Sequence, residues 1–290
     1  MRKFWLHLEE GLALLYHDLT HSTYTHGSYY HFIRYDQKRR DIYVAAVRDR
    51  VVHQVLADYL EMRYLRHFFS NSFASQQGKG VHAARQYVLG TIRRLLNHRV
   101  WIAKLDVEKY FANVDHAILM RLLARRIRDP RILDLCKRVI DSFSIAGRGI
   151  PLGNLTSQWF ANVYLHELDW HAKQILGIKY YMRYNDDIIV VSSDEVRVRE
   201  WSNAIVQYAG RDLKLPIPPR KQEIISLPSD SIDVLGVCTD GRRYWIREVT
   251  RRKSESMLLR SYDLQAGTLL DTMCSYYGNG ITEILQEGCE

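Results

Sequence analysis

The stretch Tyr180-Tyr181-Met182-Arg183-Tyr184-Asn185-Asp186-Asp187-Ile188-Ile189-Val190-Val191 decides the fold. Aromatic and β-branched residues fill both arms, and the polar pair Asn185-Asp186 stands between them. Such arms favour extended backbone and Asn-Asp favours a tight turn, so the spacing predicts a β-hairpin with two acids at its tip. An Asp-Asp pair is also an ordinary turn dipeptide and carries little alone. Upstream, Val100 to Asp106 reads as a second apolar strand that ends in an acid. Carboxylates clustered beside a buried sheet repel one another unless a cation lies between them. Oxygen ligands that keep waters and substrate phosphates in the shell suit Mg²⁺. Two such ions about 4 Å apart can activate an attacking hydroxyl and stabilise a leaving phosphate. Asp106, Asp186 and Asp187 are therefore the candidate catalytic and metal-binding residues.

Working outward, residues 5–18 read as an amphipathic helix with Trp5, Leu8, Leu12, Leu15 and Tyr16 on one side. Residues 29–46 read as a hairpin broken by a basic turn at 37–40, and 48–67 and 81–97 as helices around a polar loop at 70–80. Helices are expected over 115–127, 130–142, 155–176 and 195–213, and strands over 217–226 and 232–237. The last fifty residues read as helical and basic at their start. The order implies an α+β domain with helices on one face of an antiparallel sheet.

The formal charge of +8 and pI of about 9.2 come with clusters such as Lys38-Arg39-Arg40, Arg125-Arg126 and Arg251-Arg252-Lys253. A single cluster reads equally well as a solvated helix face, but their sum points to a polyanionic partner. The four cysteines, Cys136, Cys238, Cys274 and Cys289, form no CxxC pair, which excludes a zinc site or disulfide framework and suits a reducing compartment. The twelve histidines show no metal spacing, and His21, His26, His166 and His171 are expected at the surface. No apolar run reaches the roughly 18 residues a membrane span needs. Glu9 and Glu10 follow the basic start closely, against a secretory signal, so a soluble, intracellular protein is expected.

Four segments, in order, resemble the motifs of reverse transcriptases. Tyr184-Asn185-Asp186-Asp187 resembles their Tyr-x-Asp-Asp box. Asp106-Val107-Glu108-Lys109-Tyr110-Phe111 resembles their first catalytic segment. Arg148 to Gln158 resembles the segment between, and Val234-Leu235-Gly236 the primer-grip strand. The likeness runs over roughly residues 30–260. It implies an α+β right-hand polymerase, with fingers over 1–100, a palm with a fingers-like insertion over 101–241, and a small helical thumb over 242–290. The implied reaction is RNA-directed DNA synthesis with two Mg²⁺, for which Mn²⁺ can substitute, held by Asp106, Val107, Asp186 and Asp187. Its partners are a template RNA, a DNA primer or cDNA, and dNTPs.

The same resemblance assigns further roles. Phe111 is the aromatic gate that excludes a ribose 2′-hydroxyl, while Tyr110 points away if the stretch is extended. Lys38 and Arg40 close over the triphosphate. Gly153 and Gln158, with Ser157, approach the nascent pair. Lys221, or its neighbour Arg220, donates a proton to pyrophosphate. Arg48 and Arg50 touch template backbone or structural acids, and Arg251, Arg252 and Lys253 grip duplex phosphates. The Gly153-x-x-x-Ser157-Gln158 variant is similar to the enzymes of diversity-generating retroelements, which implies mutagenic cDNA synthesis and an accessory protein or non-coding RNA. Asn185 departs from the family, where an apolar residue is commoner. Antiphage-defence reverse transcriptases share the core and form the alternative setting, and an idle RNA-binding scaffold is the reading from another class. No RNase H, endonuclease or maturase extension is expected after residue 290. The expected location is the cytoplasm of a bacterial, phage or archaeal host cell.

Overall fold

The computed structural model describes residues 7–35, 39–144 and 146–252. Helix α1 spans Leu8–Thr20, and of its expected apolar side Leu15 is buried while Leu12 and Tyr16 are exposed. Strands β1 (Tyr30–Tyr35) and β2 (Arg39–Val44) form the expected hairpin, with Arg34 opposite Arg40. Helix α2 (Val47–Tyr64) runs into a 3₁₀ turn at Leu65–His67. Helix α3 (Val81–Leu95) and strand β3 (Val100–Asp106) follow. A one-turn helix α4 (Tyr110–Asn113) precedes α5 (His116–Ala124) and α6 (Pro130–Asp141).

Helix α7 (Leu155–Trp170) is extended by a π turn, His171–Ile175. Then come β4 (Tyr180–Tyr184), β5 (Asp187–Ser192), helix α8 (Glu195–Asp212) and β6 (Gln222–Leu227). A small sheet of β7 (Ile232–Val234), β8 (Val237–Thr239) and β9 (Tyr244–Ile246) follows, and residues 248–252, the last described, are helical. Asp115, Asp129 and Asp194 start α5, α6 and α8 by accepting hydrogen bonds from the first-turn amides of Ile118, Arg131 and Arg197.

The main sheet has the order β4-β5-β3-β6, antiparallel throughout. Alternation along the strands divides it into two faces. Ala103, Leu105, Tyr181, Ile188 and Val190 pack against α2, α5, α7 and α8. Val100, Ile102, Met182, Ile189 and Val191 pack against Ala84, Val88 and Ile92 of α3 and Ile232 and Val234 of β7. The expectation of helices on one face only is thus corrected. The unbroken run Ile188–Val191 is buried on both sides, as a continuous apolar strand requires.

Three further expectations change. The 70–80 loop is not a free surface loop. Ser72, Phe73, Ala74 and Gln76 are buried, and residues 71–73 cover the outer edge of β4: Arg183 N donates to Asn71 O and Phe73 N to Arg183 O, both at 3.0 Å. That pairing satisfies a strand edge which would otherwise be exposed. The strand expected from 217 begins only at Gln222, because Pro218 and Pro219 cannot donate to a ladder. The chain end expected to be helical from about 242 first adds β9, and residue 242 lies in the β8–β9 connection. His26, His166 and His171 are partly buried rather than free at the surface, and His21 is exposed. Among the described residues no helix is long and apolar enough to cross a membrane.

Candidate active site

Strands β3 and β5 pair in a register that sets Asp106 directly opposite Asp187. The hairpin turn brings Asp186 beside them, and Val107 N donates to Asp186 O at 3.3 Å. Asn185 holds this turn at φ +51°, a left-handed conformation that Asn tolerates better than the apolar residue expected here. Alternation puts Asp106 and Asp187 on the α3 face of the sheet, away from the thick helical layer.

The electrostatics are those of crowded acids. Burial pushes the Asp187 carboxyl up to about 7, with further repulsion from Asp186 and Asp106. Burial and then Asp106 also raise Asp186, against the opposing charges of Lys221 and Arg40. Lys221 Nζ donates to Asp106 Oδ2 at 2.5 Å and lies 3.4 Å from Val107 O. The 3₁₀ turn Pro219–Lys221 delivers this ammonium, and Arg220 pairs instead with Glu108. Among the described residues no three acidic, histidine or cysteine side chains close around a metal position. The donor set nevertheless fits a hard divalent cation. Three carboxylates gathered at one end of the sheet, with the Val107 carbonyl beside them, present only oxygen, and added positive charge relieves their repulsion.

Behind the turn lies a buried polar network. Arg183 Nε and Nη2 donate to Asp169 Oδ1 and Oδ2 at 2.7 and 2.8 Å. The same guanidinium donates to Ser72 Oγ at 2.8 Å, Asn162 Oδ1 at 3.3 Å and the Asn185 carbonyl at 3.2 Å. Tyr181 donates to Asp169 Oδ1 at 2.8 Å. Lys79 Nζ donates to the carbonyls of Phe69 and Ser72 at 3.2 and 2.8 Å, fixing the loop that supports Arg183.

The other expected residues divide clearly. Arg40 is exposed on β2, and its charge reaches Asp186. Phe111 is half-buried and meets Tyr110 edge-on at 5.5 Å. Tyr110 is buried, as expected, but for another reason: the segment is a helical turn entered through Lys109 at φ +45°, and Tyr110 Oη donates to Ala161 O at 2.6 Å. Gly153 has φ +121°, and a Cβ there would lie 3.0 Å from Tyr43 O and from Ile42. Its close approach in this structure is to the β2 backbone, where Tyr43 N also donates to Leu152 O at 2.9 Å. Gln158 is exposed on the first turn of α7, while Ser157 is buried.

Arg48 is half-buried and held against the protein: it donates to Asp18 at 2.6 Å and to Thr25 O at 3.2 Å, and lies over the Tyr24 ring. Arg50 is exposed. Arg251 and Arg252 both pair with Glu248 at 2.8 Å. Lys38 and Lys253 lie outside the described residues.

A family model described as reverse transcriptase (RNA-dependent DNA polymerase) matches residues 34–239, a span that holds all three acids. The chain belongs to the reverse transcriptase family. Among curated relatives, an uncharacterized mitochondrial protein, ymf11, of Marchantia polymorpha is 34% identical over 132 residues, covering 45% of this chain and 17% of the relative. The group II intron-encoded protein LtrA of Lactococcus lactis subsp. cremoris is 26% identical over 146 residues, covering 48% of this chain and 24% of the relative. The chain spans a quarter or less of the length of both. Among solved structures, telomerase from Candida albicans in complex with a TWJ fragment of telomeric RNA gives a TM-score of 0.58 at 14% identity, covering 91% of this chain and 56% of that one. The fold is the α+β right-hand polymerase fold.

Two features of this chain were not assigned from its sequence. One is the Asp169–Arg183 pair, for which the signal was a charged residue inside an apolar strand: such a residue in the interior needs a partner. The other is the Lys221–Asp106 contact, which joins residues far apart in the chain and has no local signature.

Proposed function

We propose that this protein is an RNA-directed DNA polymerase that extends a DNA primer on an RNA template. The observation that carries the reading is the placement of Asp106 opposite Asp187, with Asp186 in the adjoining turn, inside a reverse transcriptase domain. Asp106, Asp186, Asp187 and the Val107 carbonyl would hold the divalent ions, Mg²⁺ with Mn²⁺ as substitute, which neutralise charge on the reacting phosphates when bound. The primer 3′-hydroxyl attacks the α-phosphate of a dNTP, forming a phosphodiester and releasing pyrophosphate. Lys221, whose ammonium stands at the acids, is the residue that would donate a proton to the leaving pyrophosphate. Phe111 borders the sugar and excludes a 2′-hydroxyl. Arg40, with Lys38, meets the triphosphate as a guanidinium fork. Gly153 and Gln158 border the nascent pair, and Arg50, Arg251, Arg252 and Lys253 carry the nucleic-acid backbone. In this reading 1–100 are fingers, 101–241 palm and 242–290 thumb.

The setting we favour is a diversity-generating retroelement, with mutagenic cDNA synthesis and an accessory protein or non-coding RNA. Its support is the Gly153-x-x-x-Ser157-Gln158 segment, whose Gln158 stands exposed on the first turn of α7. The test is to sequence the RNA that copurifies with the protein and the cDNA made from it. A cDNA copied from a template repeat with scattered substitutions supports the retroelement. A cDNA copied faithfully from a dedicated non-coding RNA would assign the protein to antiphage defence instead.

A further inference from the structure

Five arginines and a histidine surround one depression of about 340 Å³ on the outer surface of the helical layer. Arg63, Arg66 and His67 come from the end of α2 and its 3₁₀ turn, and Arg125, Arg126 and Arg128 from the segment after α5. Among the described residues only Arg125 of the five arginines has an acidic partner, Glu167 at 2.7 Å. Like charges gathered this way repel, and an anion placed among them relieves that repulsion.

A second groove of about 550 Å³ adjoins the first and shares Arg125 and Arg126 with it. Its character is aromatic. Trp170, at the end of α7, is 47% exposed, and Tyr208 of α8 stacks on His171 at 4.0 Å. His166 also lines this groove, and its buried Nδ1 has no hydrogen-bond partner among the described residues. Helices α5, α7 and α8 pack on the face of the sheet opposite to Asp106 and Asp187, so this surface is separate from the candidate active site.

We propose that the two grooves form a second nucleic-acid site, which binds an unpaired strand with its phosphates among the arginines and a base against Trp170. Guanidinium forks match phosphate oxygens in geometry. An exposed indole offers a stacking platform that accepts any base. A duplex would keep its bases stacked inside and leave Trp170 without a partner, which favours a single strand. The site would hold a strand outside the catalytic cleft, and its existence does not depend on the polymerase reading.

The test uses the full chain, with its cleft saturated by an unlabelled primer–template hybrid. A labelled short oligouridylate and its deoxy counterpart are titrated by fluorescence anisotropy across a series of salt concentrations. Arg126→Ala/Arg128→Ala should weaken binding roughly tenfold and flatten the log K against log salt slope by about 1.4, at about 0.7 for each phosphate that no longer meets a guanidinium. Trp170→Ala should weaken it about fivefold or more, and Trp170→Phe should restore most of that. Primer extension on a short hybrid should be unchanged in all three variants. Tighter binding of the ribo-oligomer assigns an RNA strand, and equal binding assigns either strand. The proposal is overturned if the arginine pair can be removed with affinity and slope unchanged, or if a labelled oligoglutamate binds more tightly than both oligonucleotides, which would mark an acidic protein partner. A wild-type chain that binds the labelled strand yet extends no primer would overturn the polymerase reading and leave this site standing.

Discussion

Arg183 and Asp169 form a two-pronged ion pair with essentially no exposed surface, directly behind the turn that carries Asp186. The pair reaches the turn through the Asn185 carbonyl. Arg183→Ala would strand a buried carboxylate, which costs on the order of 3–5 kcal/mol. The double variant Arg183→Met/Asp169→Leu removes both charges and should recover most of that loss in a denaturant titration. Primer extension should stay depressed in the double variant, because Asn185 still lacks its donor. Full activity there would show that the turn needs no such support.

Asp106→Ala and Asp186→Ala should each lower dNTP incorporation about a hundredfold or more, since metal-ligand stabilisation is worth several kcal/mol. Hybrid binding should survive, because these acids repel phosphate rather than hold it. Single-nucleotide extension and anisotropy on the same samples check both halves. Asp187→Asn should also raise the melting temperature of the protein in chelator, since it removes a carboxylate that burial, and then repulsion from Asp186 and Asp106, disfavours.

Phe111→Ala should admit ribonucleotides. The measurement is the ratio of kcat/KM for a dNTP and its rNTP, which compares transition-state binding. Tyr110 is no substitute for this role, because its hydroxyl is committed to Ala161 O inside the core. An unchanged ratio in a folded Phe111→Ala protein would place the gate elsewhere.

Arg40→Ala and Arg251→Ala/Arg252→Ala should behave oppositely. A guanidinium on triphosphate contributes about 1.5–3 kcal/mol, so Arg40→Ala should raise the dNTP requirement roughly tenfold or more with hybrid affinity intact. The Arg251→Ala/Arg252→Ala variant should weaken hybrid binding and flatten its salt dependence. Loss of hybrid affinity in Arg40→Ala, with its dNTP requirement unchanged, would assign the hairpin to the template track.

His53 should make stability depend on pH. It joins α2 to α7 through Thr156 Oγ1 at 2.5 Å and meets His26 at 3.0 Å. Burial, and then the charge of His26, lower its pKa to about 4, against the opposing pull of Asp49. Between that value and the unfolded value of about 6.5, the unfolded chain binds a proton that the folded chain refuses, so stability falls as pH falls. The loss from this residue at pH 5 is on the order of 2 kcal/mol. Melting curves at pH 7 and pH 5 should show it, and His53→Gln should narrow the difference.

The sequence by itself determined the acid-tipped hairpin, the strand that ends at Asp106, most helices and the family. Each is written in contiguous residues, as a period, a turn pair or a spaced motif. Tertiary structure alone decided which partners complete them. Apolar residues on both sides of β3 and β5 demand two covers, yet no local pattern says that α3 supplies the second. Gly153 had to be glycine, but it is the nearness of Tyr43 that makes it so. Arg48 carries the same charge as Arg50, and the positions of Asp18 and Tyr24 hold one against the protein while the other stays exposed. Lys221 meets Asp106 because β6 pairs beside β3, a register fixed by core packing between segments more than a hundred residues apart. Local sequence sets the direction of a side chain, and the long-range pairing of strands and helices sets what it touches.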